Sequence, residues 1–469
     1  MDTSGRFDVV VIGGGPAGQK AAIQTSKAGF RALVVERGSA IGGECVHRGT
    51  IPSKTLRETA AALAGLRMRS TVDFRRPLPA NLRVELMLQR QREVCNAHER
   101  FIGNQLERNG VDWLHGLARF TDPHTLEVRL PGGSRRTIQA NAFVIATGSR
   151  PRTPDDIPVD HDHVLDSDSV LSMAYLPTSM VVLGGGVIAS EFASIFTALD
   201  VAVTIIDKAP RPLAFLEPEL SRAFVDDFEQ RGGTYLGGRS IARFEVDPLQ
   251  GVTVTLDDGR VVKAQKALCA VGRVAAVREL HLSAAGIALS ARGHIPVNEF
   301  FQTSAPHIYA VGDVIGPPAL AATAMEQGRR AARHALGLPH PATEPVVPVG
   351  IYTIPELATV GMTEAEALAK FGDVVVGRAK FSEVARGWIS GDTSGFLKLV
   401  AAPDGRIVGA HMAGENVTDY IHVAQMAILG GLGVDALIDN IFNFPTMSES
   451  YRVAALSLSG QLEQKRLAA

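Results

Sequence analysis

The chain has 469 residues, 46% of them hydrophobic and 20% charged, with 47 Lys and Arg against 49 Asp and Glu and a formal net charge of −2. That length suits about three domains, the balanced charge argues against a nucleic-acid binder working through broad positive potential, and no apolar run is long enough for a membrane span. Three scattered cysteines, Cys45, Cys95 and Cys269, exclude a disulfide scaffold and a Cys-rich zinc module and suit a reducing, cytoplasmic setting. Met1 to Asp8 is polar, without the basic start or apolar middle of a signal peptide.

Residues 7–37 read as an apolar strand, a glycine turn, a helix of small residues and a second apolar strand ending in an acid. Gly13 allows the tight turn, Gly15 lets the backbone approach a pyrophosphate, and Gly18 lets helix and strand pack closely. The helix N-terminus then offers free N–H groups and a positive dipole end to phosphates. Glu36 ends the second strand, where its carboxylate can accept hydrogen bonds from a ribose diol.

A polar helical stretch follows near 80–108, and Arg150 to Pro158 is a proline-rich crossover. Residues 179–208 then repeat the first unit in register: Gly184, Gly186 and Asp207 stand where Gly13, Gly15 and Glu36 stood, and Ala189 replaces the third glycine. One GxGxxG is a weak signal, but two complete β-α-β units in one chain are a strong one. Asp207 favours a free 2′-hydroxyl, hence NAD. Lys208 and Arg211 can meet a 2′-phosphate, hence NADP, or stand as solvated loop charges.

Residues 275–345 return to a strand, HIYAVGDV, and a helical stretch from Leu320 to His334; from 346 strands alternate before further helices, and QLEQKRLAA reads as a frayed tail. The expected fold is α/β: two Rossmann-like dinucleotide-binding domains plus a C-terminal α+β domain. Residues 1–150 and 275–345 form the first dinucleotide domain in two parts, 151–274 the second, and 346–469 the third. The 13 histidines show no metal-ligand spacing, so no metal is assigned. His411 and His422 read as structural, Trp113 and Trp388 as packing residues, and Cys95 and Cys269 as inert.

Four further segments carry a family signal: Gly42-Gly43-Glu44-Cys45 leading to Ile51-Pro52-Ser53-Lys54; Ala146-Thr147-Gly148-Ser149-Arg150-Pro151; Thr303 to Asp313; and Tyr352 to Glu356 followed by Val360 to Glu364. With the glycine turns, they resemble the flavoprotein disulfide reductases over essentially the whole chain. The resemblance implies FAD on the first unit, with Gly13, Gly15, Gly18, Glu36, Arg37, Gly42, Gly43, Cys45, Ala118, Ala146, Thr147, Gly148, Gly312 and Asp313 as its contacts, Asp313 holding the ribityl chain. It implies a nicotinamide nucleotide on the second, at Gly184, Gly186, Ala189, Asp207, Lys208, Arg211 and Gly272. It also implies that Lys54 lies near flavin N5 with Glu191 as its ion-pair partner, that the helix from Leu320 faces the flavin pyrimidine edge, and that 346–469 is a dimerisation domain.

The departures bear on the reaction. The family passes electrons through a Cys-x4-Cys pair; here Cys45 fills the first position and Thr50 the second, and a hydroxyl cannot form a disulfide. The family's general-base His before a Pro is replaced by Phe444, before Pro445, which carries no proton. No cysteine follows Cys269 to substitute. Cys45 then reads as a small packing residue beside the flavin rather than a reactive thiol. Both replacements resemble the soluble, FAD-dependent pyridine nucleotide transhydrogenases, whose Gly-Gly-x-Cys-x4-Thr-Ile-Pro-Ser-Lys and FN-aromatic-PT segments match Gly42 to Lys54 and Phe442 to Thr446. That branch takes hydride from NADPH onto FAD and returns it to NAD⁺ in a ping-pong cycle, with NAD(H) and NADP(H) as substrates. The alternatives are an NAD(P)H oxidase or quinone/dye reductase of the same fold, and a non-catalytic NAD(P)-sensing flavoprotein. A homodimer or larger homo-oligomer is expected, with no nucleic-acid or membrane partner.

Overall fold

The computed structural model describes residues 6–69, 80–339 and 346–468. Its first sheet has seven strands. Asp112–His115, Ala32–Glu36, Phe7–Ile12 and Arg135–Ile145 lie side by side in parallel, and the returning strand Ile308–Ala310 pairs in parallel with Phe143, Val144 and Ile145. Arg135–Ile145 also pairs with Thr125–Arg129 and, through it, Leu117–Asp122 in an antiparallel extension. Val9, Val10 and Val11 are all fully buried, because helices cover one face of the parallel part while the antiparallel strands and residues 280–295 cover the other, so an apolar run survives there without alternation. The helix Pro16–Lys27 supplies one cover and packs against Ala321–Ala335.

The second sheet is five parallel strands, in the order Thr234–Gly237, Ala202–Asp207, Ser179–Leu183, Lys266–Cys269 and Val164–Leu165. An antiparallel ribbon of Ser149–Pro151 and Arg273–Ala275 carries the chain out to this sheet and back. The glycine turns of the two sheets are geometric copies: Gly13 and Gly184 both have φ of 107°. A side chain at Gly13 would strike the Ala146 carbonyl oxygen, and one at Gly184 would come within 2.7 Å of the Ala270 carbonyl oxygen, so only glycine fits either turn.

The last region holds an antiparallel sheet of Val349–Ile351, Glu356–Gly361, Ile407–Gly414, Phe396–Ala401 and Val375–Lys380, with its own core around Phe381, Leu397, Met412 and Tyr451. The join expected at residue 345 lies outside the described residues. Two expectations are corrected here. The tail is not frayed: Glu449–Ala468 is one helix, because Leu462 enters that core, the Gln461 amide donates to the Val376 carbonyl at 2.8 Å and Lys465 reaches Asp373 at 2.6 Å. Trp113 and Trp388 are not packed inside: they are 40% and 69% exposed, Trp113 on an edge strand and Trp388 held through its indole N–H by the Ser382 carbonyl. Among the described residues no helix is long and apolar enough to cross a membrane.

Candidate functional site

A cavity of about 740 Å³ opens at the carboxyl end of the first sheet, within the size range of cofactor sites. Of the residues the sequence singles out, Gly13, Gly15, Glu36, Arg37, Gly43, Cys45, Thr50, Lys54, Ala118, Ala146, Thr147, Gly148, Glu191, Gly312 and Asp313 line it. Gly18 and Gly42 stand behind the wall: Gly18 packs against the Gly13 carbonyl, and the Gly42 N–H donates to the Gly14 carbonyl at 3.1 Å. Gly43 has φ of 61°, and a Cβ there would lie 2.8 Å from the Gly15 Cα, so the Gly42–Cys45 segment rests directly on the phosphate turn.

The cavity suits a dinucleotide. Gly15 caps the helix Pro16–Lys27 and lines the cavity with Pro16, leaving the helix N–H groups available to a pyrophosphate. Glu36 is buried and oriented before any ligand arrives, with its two oxygens accepting from the Gly14 and Gly38 N–H groups at 2.7 Å each. At the other end Asp313 accepts from the Ser149 hydroxyl at 2.6 Å, and Arg273 holds that hydroxyl in turn at 2.8 Å. The Thr147 hydroxyl oxygen is buried in the wall with no hydrogen-bond partner among the described residues, an unmet demand that a bound polar ligand satisfies.

Three regions of the chain meet at one ion pair. Lys54, on the helix Thr50–Arg69, donates to both oxygens of Glu191, on the helix Val187–Ala198, at 2.9 and 2.7 Å. Glu191 also accepts from the Tyr352 N–H at 3.0 Å, and the Lys54 ammonium lies 4.9 Å from the centre of the Tyr352 ring. Glu191 is almost fully buried while Lys54 keeps one side open to the cavity.

Beside this pair the Cys45 thiol lies next to the Thr50 side chain, and burial pushes its pKa above the ordinary thiol value against the pull of Thr50 and of the nearby Lys54 charge. A thiol so placed stays protonated and is a poor nucleophile at neutral pH. All three cysteines are free, and burial raises Cys95 and Cys269 as well. Phe444 is 69% exposed and stands outside the cavity lining.

The second glycine turn is not part of the cavity wall: Gly184, Gly186, Ala189, Asp207, Lys208, Arg211 and Gly272 all lie off it. The helix that Gly186 starts nevertheless contributes Val187, Ile188, Glu191 and Phe192 to the wall, so a nucleotide on that turn meets the same cavity. Ala189 is fully buried and fills the close-packing position. Asp207 is partly buried, and burial raises its carboxyl pKa against the N–H groups of Lys208 and Ala209. Lys208 is exposed. Arg211 is tied to its own loop: its guanidinium donates to the Leu216 and Ala214 carbonyls and the Ser221 hydroxyl at 2.8 to 3.1 Å.

Sequence reasoning missed several wall residues. Arg273, Tyr352, Thr418 and His422 all line the cavity. Tyr352 stands in the YTIPE segment and Arg273 directly follows Gly272, so both were within reach of motif reading; nothing near Thr418 or His422 marks them. His411 is buried and structural, with Nδ1 paired to the Thr359 hydroxyl at 2.7 Å and Nε2 to the Met362 carbonyl at 3.2 Å.

Residues 7–328 match the family model of pyridine nucleotide-disulphide oxidoreductases, and residues 347–455 match the dimerisation domain of the same enzymes. The chain is 41% identical to a soluble pyridine nucleotide transhydrogenase of Mycobacterium bovis over 97% of its length and 98% of that protein. It is 39% identical to a protein of the same name from Escherichia coli, over 97% and 99%. Among solved structures it is similar to LpdA of Mycobacterium tuberculosis (TM-score 0.88, 27% identity, 96% of this chain and 99% of that one). It is also similar to the HOCl-induced flavoprotein disulfide reductase RclA of Escherichia coli (TM-score 0.87, 28% identity, 96% and 99%). The chain therefore belongs to the pyridine nucleotide-disulphide oxidoreductase family.

Proposed function

We propose that this oxidoreductase is an FAD-dependent NAD(P)⁺ transhydrogenase that moves hydride between NADPH and NAD⁺ without a redox-active disulfide. The observation that carries this reading is the neighbour of Cys45, which is the Thr50 hydroxyl rather than a second thiol. With Phe444 where a thiol base would be needed, neither half of dithiol chemistry is present. The names of the relatives at 39% and 41% identity support the same activity.

In this reading residues 1–150 and 275–345 form the FAD domain, 151–274 the NAD(P) domain and 346–469 the dimerisation domain of a cytoplasmic homodimer or larger homo-oligomer. The exposed apolar side chains of Met426, Leu429, Ile441 and Phe444 support such an assembly. FAD supplies a centre that accepts a hydride from one nicotinamide and gives it to another. Gly13, Gly15 and the Pro16–Lys27 helix would hold its pyrophosphate, Glu36 would accept from its adenosine ribose, and Asp313, set by Ser149 and Arg273, would accept from its ribityl chain. Glu191 fixes the Lys54 ammonium at the cavity wall, where its charge favours the more anionic, reduced state of a bound flavin. Gly184 and Gly186 would seat the nicotinamide nucleotides in turn, and Val187, Ile188 and Phe192 would keep water from the cavity wall beside them.

The two nucleotides differ only in a phosphate remote from the nicotinamide, so one site that tolerates both suffices. The test is an anaerobic titration. NADPH should bleach the flavin absorbance, and NAD⁺ added afterwards should restore it. Bleaching without recovery would refute hydride return to NAD⁺.

A further inference from the structure

Outside the cavity, a cluster of charges centres on the buried Lys398. This lysine stands in the C-terminal strand Phe396–Ala401 and is 1% exposed. Its ammonium donates to Glu217 at 2.7 Å, Glu219 at 2.8 Å and Glu364 at 2.7 Å. Glu217 caps the helix Pro218–Gln230 of the second nucleotide unit, and Glu219 lies in that helix's first turn. The remaining Glu217 oxygen accepts from the Glu364 N–H at 3.1 Å, and Arg378 takes Glu219 at 2.6 Å. Three carboxylates thus converge on one ammonium, and the contact ties the C-terminal sheet to the second unit.

The segment tied down is the one that follows Asp207. Its residues 208–217 fold back so that the Leu213 N–H donates to the Gly185 carbonyl at 2.8 Å, inside the second glycine turn. Gly185 in turn lies against the Asp207 carboxylate, leaving no room there for a Cβ. Leu213 holds a left-handed backbone, φ 51°, which a leucine adopts only where its surroundings impose it. Arg211 clasps the same loop to Leu216 and Ser221. The loop is therefore pinned at two points: Gly185 holds its middle at Leu213, and Lys398 holds its far end at Glu217.

We propose that Lys398 is a positioning residue for the nicotinamide dinucleotide: from the C-terminal domain it fixes the Glu217 end of the loop that braces Gly185 and Asp207 in the binding turn. The inference rests on the second unit being the NAD(P) site, as proposed above. Removing the ammonium leaves Glu217, Glu219 and Glu364 crowded together, with Arg378 beside Glu219 and Glu364 and the buried His411 ring 3.9 Å from Glu217, and the lost attraction at Glu217 releases the loop.

The experiment compares the FAD-loaded wild type with Lys398→Met, titrating NAD⁺ and NADP⁺ by calorimetry beside FAD content and steady-state rates. The expected result is about a tenfold rise in Kd and KM for both nucleotides, with kcat within about twofold and FAD retained. A nucleotide Kd within twofold of wild type would overturn the proposal even if Tm falls, as would loss of FAD in step with the nucleotides. Should Lys398→Met fail to fold, Glu217→Gln decides, since it removes the loop's own half of the ion pair with an isosteric side chain: about a threefold weaker Kd supports the proposal and an unchanged one overturns it. Calorimetry needs no turnover. A wild type that binds nucleotides but exchanges no hydride would therefore sink the proposed function while leaving this test intact.

Discussion

Lys54 donates to both carboxylate oxygens of Glu191, at 2.9 and 2.7 Å, and so joins the helix that follows Thr50 to the helix that follows the second glycine turn. The pair is not a surface ion pair of small worth, because Glu191 is buried and also receives the Tyr352 N–H. Lys54→Met should lower kcat by about 100-fold and shift the flavin reduction potential down, with FAD content preserved. Stopped-flow reduction by NADPH with a redox titration checks both.

Cys45 and Thr50 make a second prediction. With the thiol raised by burial and no partner sulfur, partial reduction should produce no long-wavelength thiolate-to-flavin charge-transfer band. Thr50→Cys should allow a disulfide to Cys45, seen as two fewer free thiols in the oxidised protein. It should still fail to reduce lipoamide, because Phe444 can move no proton.

The nucleotide loop separates two cations that look alike in sequence. Arg211 is committed to Ala214, Leu216 and Ser221, so Arg211→Ala should weaken NADP⁺ and NAD⁺ alike. Lys208 is exposed beside Asp207, so Lys208→Ala should weaken NADP⁺ alone, by about fivefold, the worth of one exposed ion pair. Paired titrations of the two nucleotides read the difference.

Acid should loosen the contact between the C-terminal sheet and the second unit. Arg378 and Lys398 hold Glu219 down to about 2 from an ordinary 4.5, and burial holds His411 down to about 4 from 6.5. In both cases the unfolded chain binds more protons than the folded one, so stability falls as pH falls. The His411 contribution is present above 6.5 and is lost on the way down to about 4; the Glu219 contribution is lost between 4.5 and about 2. Denaturant midpoints should therefore drop below pH 6.5, and His411→Gln should remove the upper part of that drop.

The glycine turns were legible because their chemistry is local: a positive φ at Gly13 and Gly184, a helix start and a terminal acid all fall within one short stretch. The Lys54–Glu191 contact spans two units and was reached only through the motif each residue belongs to. Lys398 was invisible. In FLKLVAA it reads as the polar face of an alternating strand, and only tertiary packing brings Glu217, Glu219 and Glu364 onto it. The direction of the Arg211 guanidinium is equally hidden, since a cation after an acidic strand end says nothing about which way it turns. The tail QLEQKRLAA reads as frayed because its polar residues give no sign of Val376, which takes Gln461, or of Asp373 and Val374, which take Lys465.

The most direct measurement is anaerobic: the purified FAD-loaded protein is mixed with NADPH and thio-NAD⁺, with lipoamide and oxidised glutathione as parallel acceptors. Rapid thio-NADH formation with both disulfides inert is the predicted result. Turnover of either disulfide, or a flavin reduced by NADPH that yields no thio-NADH, would contradict the account.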